Sequence, residues 1–242
     1  MTAKGYIQGM AIFPRKSDSL GMRRLKPQWS GTMSLIEEKA EIRKRGKALL
    51  KAVGQEEAER LSRRAADNLR ALPEYKEARL ILAFLSMGEE IRTESLIESA
   101  MKEGKIVAVP RMEYSPEGAP IIVFVHLPKE YHSWPRDRFG IPLPPAESRP
   151  LSEEELCSGS AIVVTPGLAF DREGGRLGRG KGYYDRFLSG ARACAARRGA
   201  SLLACGFCYA AQLVDEVPAG RDDVAVDLVV TEEGRIDRPR DS

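Results

Sequence analysis

An α/β fold, with a mostly parallel sheet flanked by helices on both faces, is what the order of patterns in this chain predicts. Three observations carry that expectation. Short apolar runs alternate with stretches of helical period, the arrangement expected of parallel strands joined through crossover helices. The run at 79–86, RLILAFLS, is too apolar for a half-exposed strand and reads as one buried on both faces. At 242 residues, 43% apolar and 30% charged, the chain can bury one substantial core, or at most two small ones.

Each element has a local reason. Ser34 with Glu37 three residues on forms a capping box, so a helix is expected over 34–52, with Gly54 as its stop. Lys39 and Arg43, four apart, share one face of that helix. A second helix spans 55–72, because Ala58, Leu61, Ala65, Leu69 and Leu72 recur at helical spacing and Pro73 follows. After the buried strand come a helix over 93–102, ended by Gly104, and strands at 105–109 and 121–126 separated by a turn-rich segment. Residues 127–150 hold six of the fifteen prolines and read as an extended loop. A strand at 161–165, a glycine-rich loop, a helix over 182–197 and strands at 201–207 and 224–231 complete the order.

Composition narrows the function. The longest purely apolar run, 80–85, is six residues, against about 20 for a membrane-crossing helix, so no membrane partner is expected. The net charge of +3 divides unevenly: residues 1–33 carry six cations and Asp18, or +5, leaving −2 for the rest. That leaves no domain-wide basic footprint, and no nucleic-acid partner is expected. Residues 1–33 read as a disordered N-terminal extension ahead of one domain at 34–242. Four cysteines do not suggest a disulfide scaffold, and a cytoplasmic setting follows. Cys205 and Cys208 read as buried structural thiols; no zinc-finger spacing or hydrolytic triad is present.

One segment stands apart. Between Asp171 and Arg186, DREGGRLGRGKGYYDR, five glycines (Gly174, Gly175, Gly178, Gly180, Gly182) alternate with Arg176, Arg179 and Lys181 just before a helix. Glycines let backbone amides close around an anion, the helix N-terminus adds partial positive charge, and the cations suit polyphosphate oxygens. Gly175 to Lys181 matches the first seven positions of a P-loop, but Gly182 stands where Ser or Thr should hold magnesium. A P-loop-like nucleotide hydrolase or kinase therefore remains an alternative, as does a non-catalytic nucleotide-binding protein.

The run RLGRGKGYYD at 176–185 resembles the signature of the 5-formyltetrahydrofolate cyclo-ligase (methenyltetrahydrofolate synthetase) family. Supporting matches stand in order: IRKR at 42–45, FLSM at 84–87 with Glu90, VPR at 109–111, FGIP at 139–142, TPGL at 165–168 with Phe170 and Asp171, and VDLVVT at 226–231. The resemblance implies a three-layer, Rossmann-like and CoA-transferase-like α/β fold. It also implies a ligase that uses ATP and Mg2+ to convert 5-formyltetrahydrofolate to its 5,10-methenyl form, acting as a monomer. Carried over, Lys39, Arg43, Arg176, Leu177, Gly178, Gly180, Gly182 and Tyr184 would contact ATP. Leu85, Glu90 and Phe139 would contact the folate; Arg179, Gly180, Lys181, Gly182 and Tyr183 would lie between the two substrates. Arg179, Lys181 and Tyr183 would be catalytic, and Asp185 and Asp223 would hold the metal. The family often has His-Asp where this chain has Asp222-Asp223.

Overall fold

The computed structural model describes residues 33–137 and 140–239, so the expected extension lies, but for Met33, outside the described residues. Helix α1 (Leu35–Ala52) opens on Ser34 and Glu37, with both reciprocal hydrogen bonds of the capping box made. Helix α2 (Gln55–Ala71) follows, then a short α3 (Pro73–Glu77) that the sequence reading had as a helix stop. Proline's fixed φ ends one helix and suits the first turn of the next.

The remaining elements are β1 (Leu80–Leu82), α4 (Glu94–Lys102), β2 (Ile106–Tyr114), β3 (Pro120–His126), α5 (Glu153–Leu156) and β4 (Ser160–Thr165). They continue with β5 (Ala169–Phe170), β6 (Arg176–Leu177), α6 (Tyr183–Arg198), β7 (Ser201–Phe207), β8 (Leu228–Thr231) and β9 (Gly234–Asp237). Seven strands form one sheet in the order β3-β2-β1-β4-β7-β8-β9. The five inner strands are parallel, and β3 and β9 close the edges antiparallel. Alternate residues feed opposite faces. Ile81, Val107, Ile162 and Cys205 pack toward α2 and α4, whereas Leu80, Leu82, Ala108, Val163 and Ala204 pack with Leu188 of α6. These are the two apolar layers on either side of a parallel sheet.

Four boundaries differ from the sequence reading, each for a tertiary reason. β1 is three residues rather than eight, because the chain leaves the sheet after Ala83 donates to the Ala108 carbonyl. β2 runs through Pro110, since β1 pairs only as far as Ala108 and leaves no neighbour there to miss an N–H. The segment 224–227 is not strand: the Val226 amide donates to the Gly174 carbonyl at 2.8 Å, and β8 starts at Leu228. Strand β9 follows what the sequence reading took as the last strand. The proline-rich loop is irregular as expected, held by Arg111 Nη1, which donates to the carbonyls of Pro145, Ala146 and Ser148 at 2.9–3.0 Å. Cys205 and Cys208 are buried free thiols, and burial pushes both well up in pKa. Cys157 and Cys194 form one disulfide between the end of α5 and α6, a link the cysteine count had not suggested.

Candidate active site

All five parallel strands point their C-terminal ends to one edge of the sheet. There β1 and β4 are neighbours, and the strand order diverges on either side of them, the geometry that opens a crevice in an α/β sheet. A cleft of about 1040 Å³ occupies this position. Phe84, Leu85, Met87 and Glu90 line it from the turn after β1, and Pro166, Gly167 and Leu168 from the turn after β4. Helix α1 crosses this end of the sheet close enough that a Cβ on Gly46 would lie 2.5 Å from the Leu168 carbonyl oxygen. That approach brings Lys39 and Arg43 into the cleft wall.

The glycine-rich segment divides into two parts with different work. Gly174 and Gly175 turn the β5–β6 hairpin. Buried Asp171 accepts from the amides of Glu173 and Gly175 with Oδ1, and from Val217 with Oδ2, at 2.7–2.9 Å. Gly174 has φ +79°, and a Cβ on Gly175 would overlap the Asp171 carboxylate at 2.3 Å. Only Gly178, Gly180 and Gly182 belong to the loop facing the cleft, with φ +96° at Gly180 and +66° at Gly182, the residue before α6. The sequence reading gave all five to the anion cradle. The loop also hangs from a two-stranded hairpin outside the main sheet, unlike a P-loop leaving a central strand.

Three ion pairs line the cleft, two of them between residues far apart in sequence. Arg176 Nη2 donates to Asp185 Oδ1 at 2.6 Å, and the Arg176 side chain is only 3% exposed. Its Nη1 reaches the Pro166 carbonyl at 3.4 Å and its buried Nε has no partner. Lys39 Nζ donates to Asp223, which also accepts from the Gly220 amide. Burial raises the Asp223 carboxyl, but the Lys39 ammonium and the Gly220 amide outweigh it and hold its pKa below the ordinary value. Arg179 donates to Glu90 Oε1 through Nε and Nη2, at 3.1 and 2.8 Å. Arg43 Nε donates to the Gly178 carbonyl at 3.1 Å, bracing the loop from α1.

Residues 35–232 match the family model described as the 5-formyltetrahydrofolate cyclo-ligase family. The chain belongs to that family. It is 30% identical over 196 residues to the mouse 5-formyltetrahydrofolate cyclo-ligase, spanning 81% of this chain and 92% of that one. It is 32% identical over 167 residues to a probable 5-formyltetrahydrofolate cyclo-ligase of Schizosaccharomyces pombe, covering 67% and 79%. Among solved structures, the NMR structure of Aquifex aeolicus 5,10-methenyltetrahydrofolate synthetase superposes with TM-score 0.63 at 30% identity, over 84% of this chain and 94% of that one.

For a cyclo-ligase-family chain, the cleft gathers most of the residues the sequence singled out: Lys39, Arg43, Leu85, Glu90, Arg176–Asp185 and Asp223 all line it. Phe139 lies outside the described residues. The Leu177 side chain is buried with Ile42, Ala169 and Val217, so a nucleotide contact from it would be through backbone. Tyr183 lies under the Arg186 guanidinium, 5.4 Å from ring centroid to Cζ. The Tyr184 hydroxyl is buried without a partner, and burial raises its pKa.

Asp185 and Asp223 are the residues that could hold a hard cation, though each is ion-paired, with Arg176 and Lys39 respectively. Among the described residues, hydrogen bonds fall only on Asp185 Oδ1 and Asp223 Oδ2, leaving the other oxygen of each available. No cluster of three or more His, Cys, Asp or Glu suited to a metal occurs among the described residues. A cation here therefore needs ligand oxygens to complete its shell, which suits Mg2+ bound with phosphate.

Sequence reasoning missed the opposite wall, where Met112, Ile141, Pro142 and Leu143 line the cleft. The exposure of Met112 (54%) and Leu143 (47%) marks that wall; the available signal was an apolar residue at an outward position of a strand beside a proline-rich loop. It also missed Arg186, whose Nη1 donates to the Lys181 carbonyl and Nη2 to the Pro120 carbonyl, at 3.2 and 2.9 Å, tying the loop to the start of β3.

Proposed function

We propose that the chain closes 5-formyltetrahydrofolate to 5,10-methenyltetrahydrofolate at the expense of ATP, releasing ADP and phosphate. The observation that carries this is Arg176: a buried guanidinium with an unpartnered Nε, beside a glycine loop holding Arg179 and Lys181, in a cleft large enough for two ligands. A buried unpaired donor on a cation is costly unless an anion completes it.

The chemistry asks for positioned charge. A formamide carbonyl is a weak electrophile and its oxygen a poor leaving group. Transfer of the γ-phosphoryl to the formyl oxygen, breaking its bond to ADP, remedies both. N10 then attacks the formyl carbon and loses its proton, and the C–O bond breaks to release phosphate. The protein's task is to align the reactants and neutralise the moving phosphoryl. In this reading Lys39, Arg43 and Arg176 hold the triphosphate, with Tyr184 beside the nucleotide and backbone of Leu177 to Gly182 around it. Arg179 and Lys181 face the transferring group and Tyr183 flanks it. Leu85 and Glu90 receive the folate, Glu90 accepting from pterin N–H groups, and Phe139 supplies an aromatic face. Asp185 and Asp223 would hold Mg2+, which supplies neutralisation of phosphate charge when bound. We take residues 34–242 as one catalytic domain acting as a cytoplasmic monomer.

Incubation with 5-formyltetrahydrofolate, ATP and Mg2+ is expected to generate the methenyl chromophore, with ADP release dependent on folate. ADP release without folate would favour a nucleotide hydrolase or kinase. Folate binding without product would favour a non-catalytic binding protein.

A further inference from the structure

Glu90 and Arg179 approach across the cleft, 89 residues apart in sequence. Glu90 Oε2 accepts from the Met87 amide at 3.1 Å, which fixes the carboxylate on the turn after β1. Oε1 accepts both donors from Arg179, so its lone pairs are taken. The two partners are unequal: the Glu90 side chain is 10% exposed and that of Arg179 43%. The carboxylate is built into the wall; the guanidinium is a removable cap on it.

The cap belongs to the anion loop. Arg179 lies between Gly178, whose carbonyl is held by Arg43, and Gly180, whose φ is +96°. Its neighbours Arg176 and Lys181 line the same cleft. A triphosphate seated there offers the Arg179 guanidinium several charged oxygens in place of one, and charge-assisted forks of this kind are strong. A donor group on a second ligand can reach Glu90 Oε1 only after Arg179 has left it.

We propose that Arg179 is a latch on Glu90: it caps the carboxylate that receives the folate ring until nucleotide phosphates draw it away, so that nucleotide raises folate affinity. The proposal rests on the cyclo-ligase reading. By linkage, folate must raise nucleotide affinity by the same factor. The coupling expected for one half-exposed charged pair is about tenfold, or about 1.4 kcal/mol.

Titration calorimetry of the full chain with 5-formyltetrahydrofolate, with and without Mg2+ and the non-hydrolysable β,γ-imido analogue of ATP, tests it. The wild type should bind folate about tenfold more tightly with the analogue present. Arg179→Ala should bind folate without nucleotide about as tightly as the wild type does with it, and lose the coupling. Arg179→Gln, which keeps the length without the charge, should behave likewise and serves should Arg179→Ala not fold. Independent binding of both ligands to the wild type overturns the latch and leaves the cyclo-ligase reading standing. So does a loss of folate affinity in both states of the variants. Failure of a folded chain to bind either ligand overturns both.

Discussion

Arg176 shows how a single residue ties stability to ligand binding. Its side chain is almost fully buried, and among the described residues its one ion pair is with Asp185. From sequence alone, Asp185→Asn should weaken magnesium-dependent turnover far more than stability. The ion pair changes that expectation, because the substitution leaves a buried guanidinium without its ion-pair partner. Asp185→Asn should therefore cost about 2 kcal/mol in urea denaturation, below the full penalty for a buried pair because Asp185 is partly exposed. Turnover measured against Mg2+ concentration should fall as well. Coupling the change to Arg176→Met should recover part of the lost stability but no activity. An unchanged denaturation midpoint in the single variant would remove the ion pair from the account. The residue types at the loop were legible because glycine and cation alternate in a short run. The partner of Arg179 was not, because Glu90 stands 89 residues away and nothing local marks one carboxylate over another.

At the scale of elements, the site depends on how closely α1 crosses the C-terminal end of the sheet. The start of α1 was legible from Ser34 and Glu37, whose side chains satisfy local amides wherever the helix is placed. The role of Gly46 was not, since a glycine inside a helix reads from sequence only as a small cost. In the fold it allows contact with the Leu168 backbone. Gly46→Ala should lower stability by about 2 kcal/mol, the cost of overpacking outweighing the better helix propensity of alanine. Because α1 carries Lys39 and Arg43, KM for ATP should rise more than kcat falls. Gly190→Ala on α6, where a Cβ meets open space, is the control and should stabilise by about 0.5–1 kcal/mol. Equal behaviour of the two variants in thermal denaturation would refute this placing of α1.

For the whole molecule, stability should be graded from the centre of the sheet outward. Ile81 in β1 and Val163 in β4 are fully buried with strands on both sides, whereas Met112 and Tyr114 lie beyond the end of β1 and are exposed. Hydrogen exchange should show the amides of Ile81 and Val163 opening only with global unfolding, and those of 112–118 exchanging much faster. A uniform exchange rate across β2 would contradict the topology. By itself the sequence determined the starts of α1, α2, α4 and α6, the positions of the buried strands, the layered α/β class and the one segment chemically suited to a polyphosphate. Those follow from the order of residues within a few turns or one strand, where capping, periodicity and apolar run length act. The tertiary structure alone decided the antiparallel edges, the β5–β6 hairpin on Asp171, the apolar wall at Met112 and Leu143, and the pairing of Arg176, Lys39 and Arg179 with their carboxylates. The Lys39–Asp223 and Arg179–Glu90 pairs join groups 184 and 89 residues apart, and the others depend on which segments come to pack together. Local patterning sets what a segment is, but charge and shape find their partners only once the topology has brought the segments together.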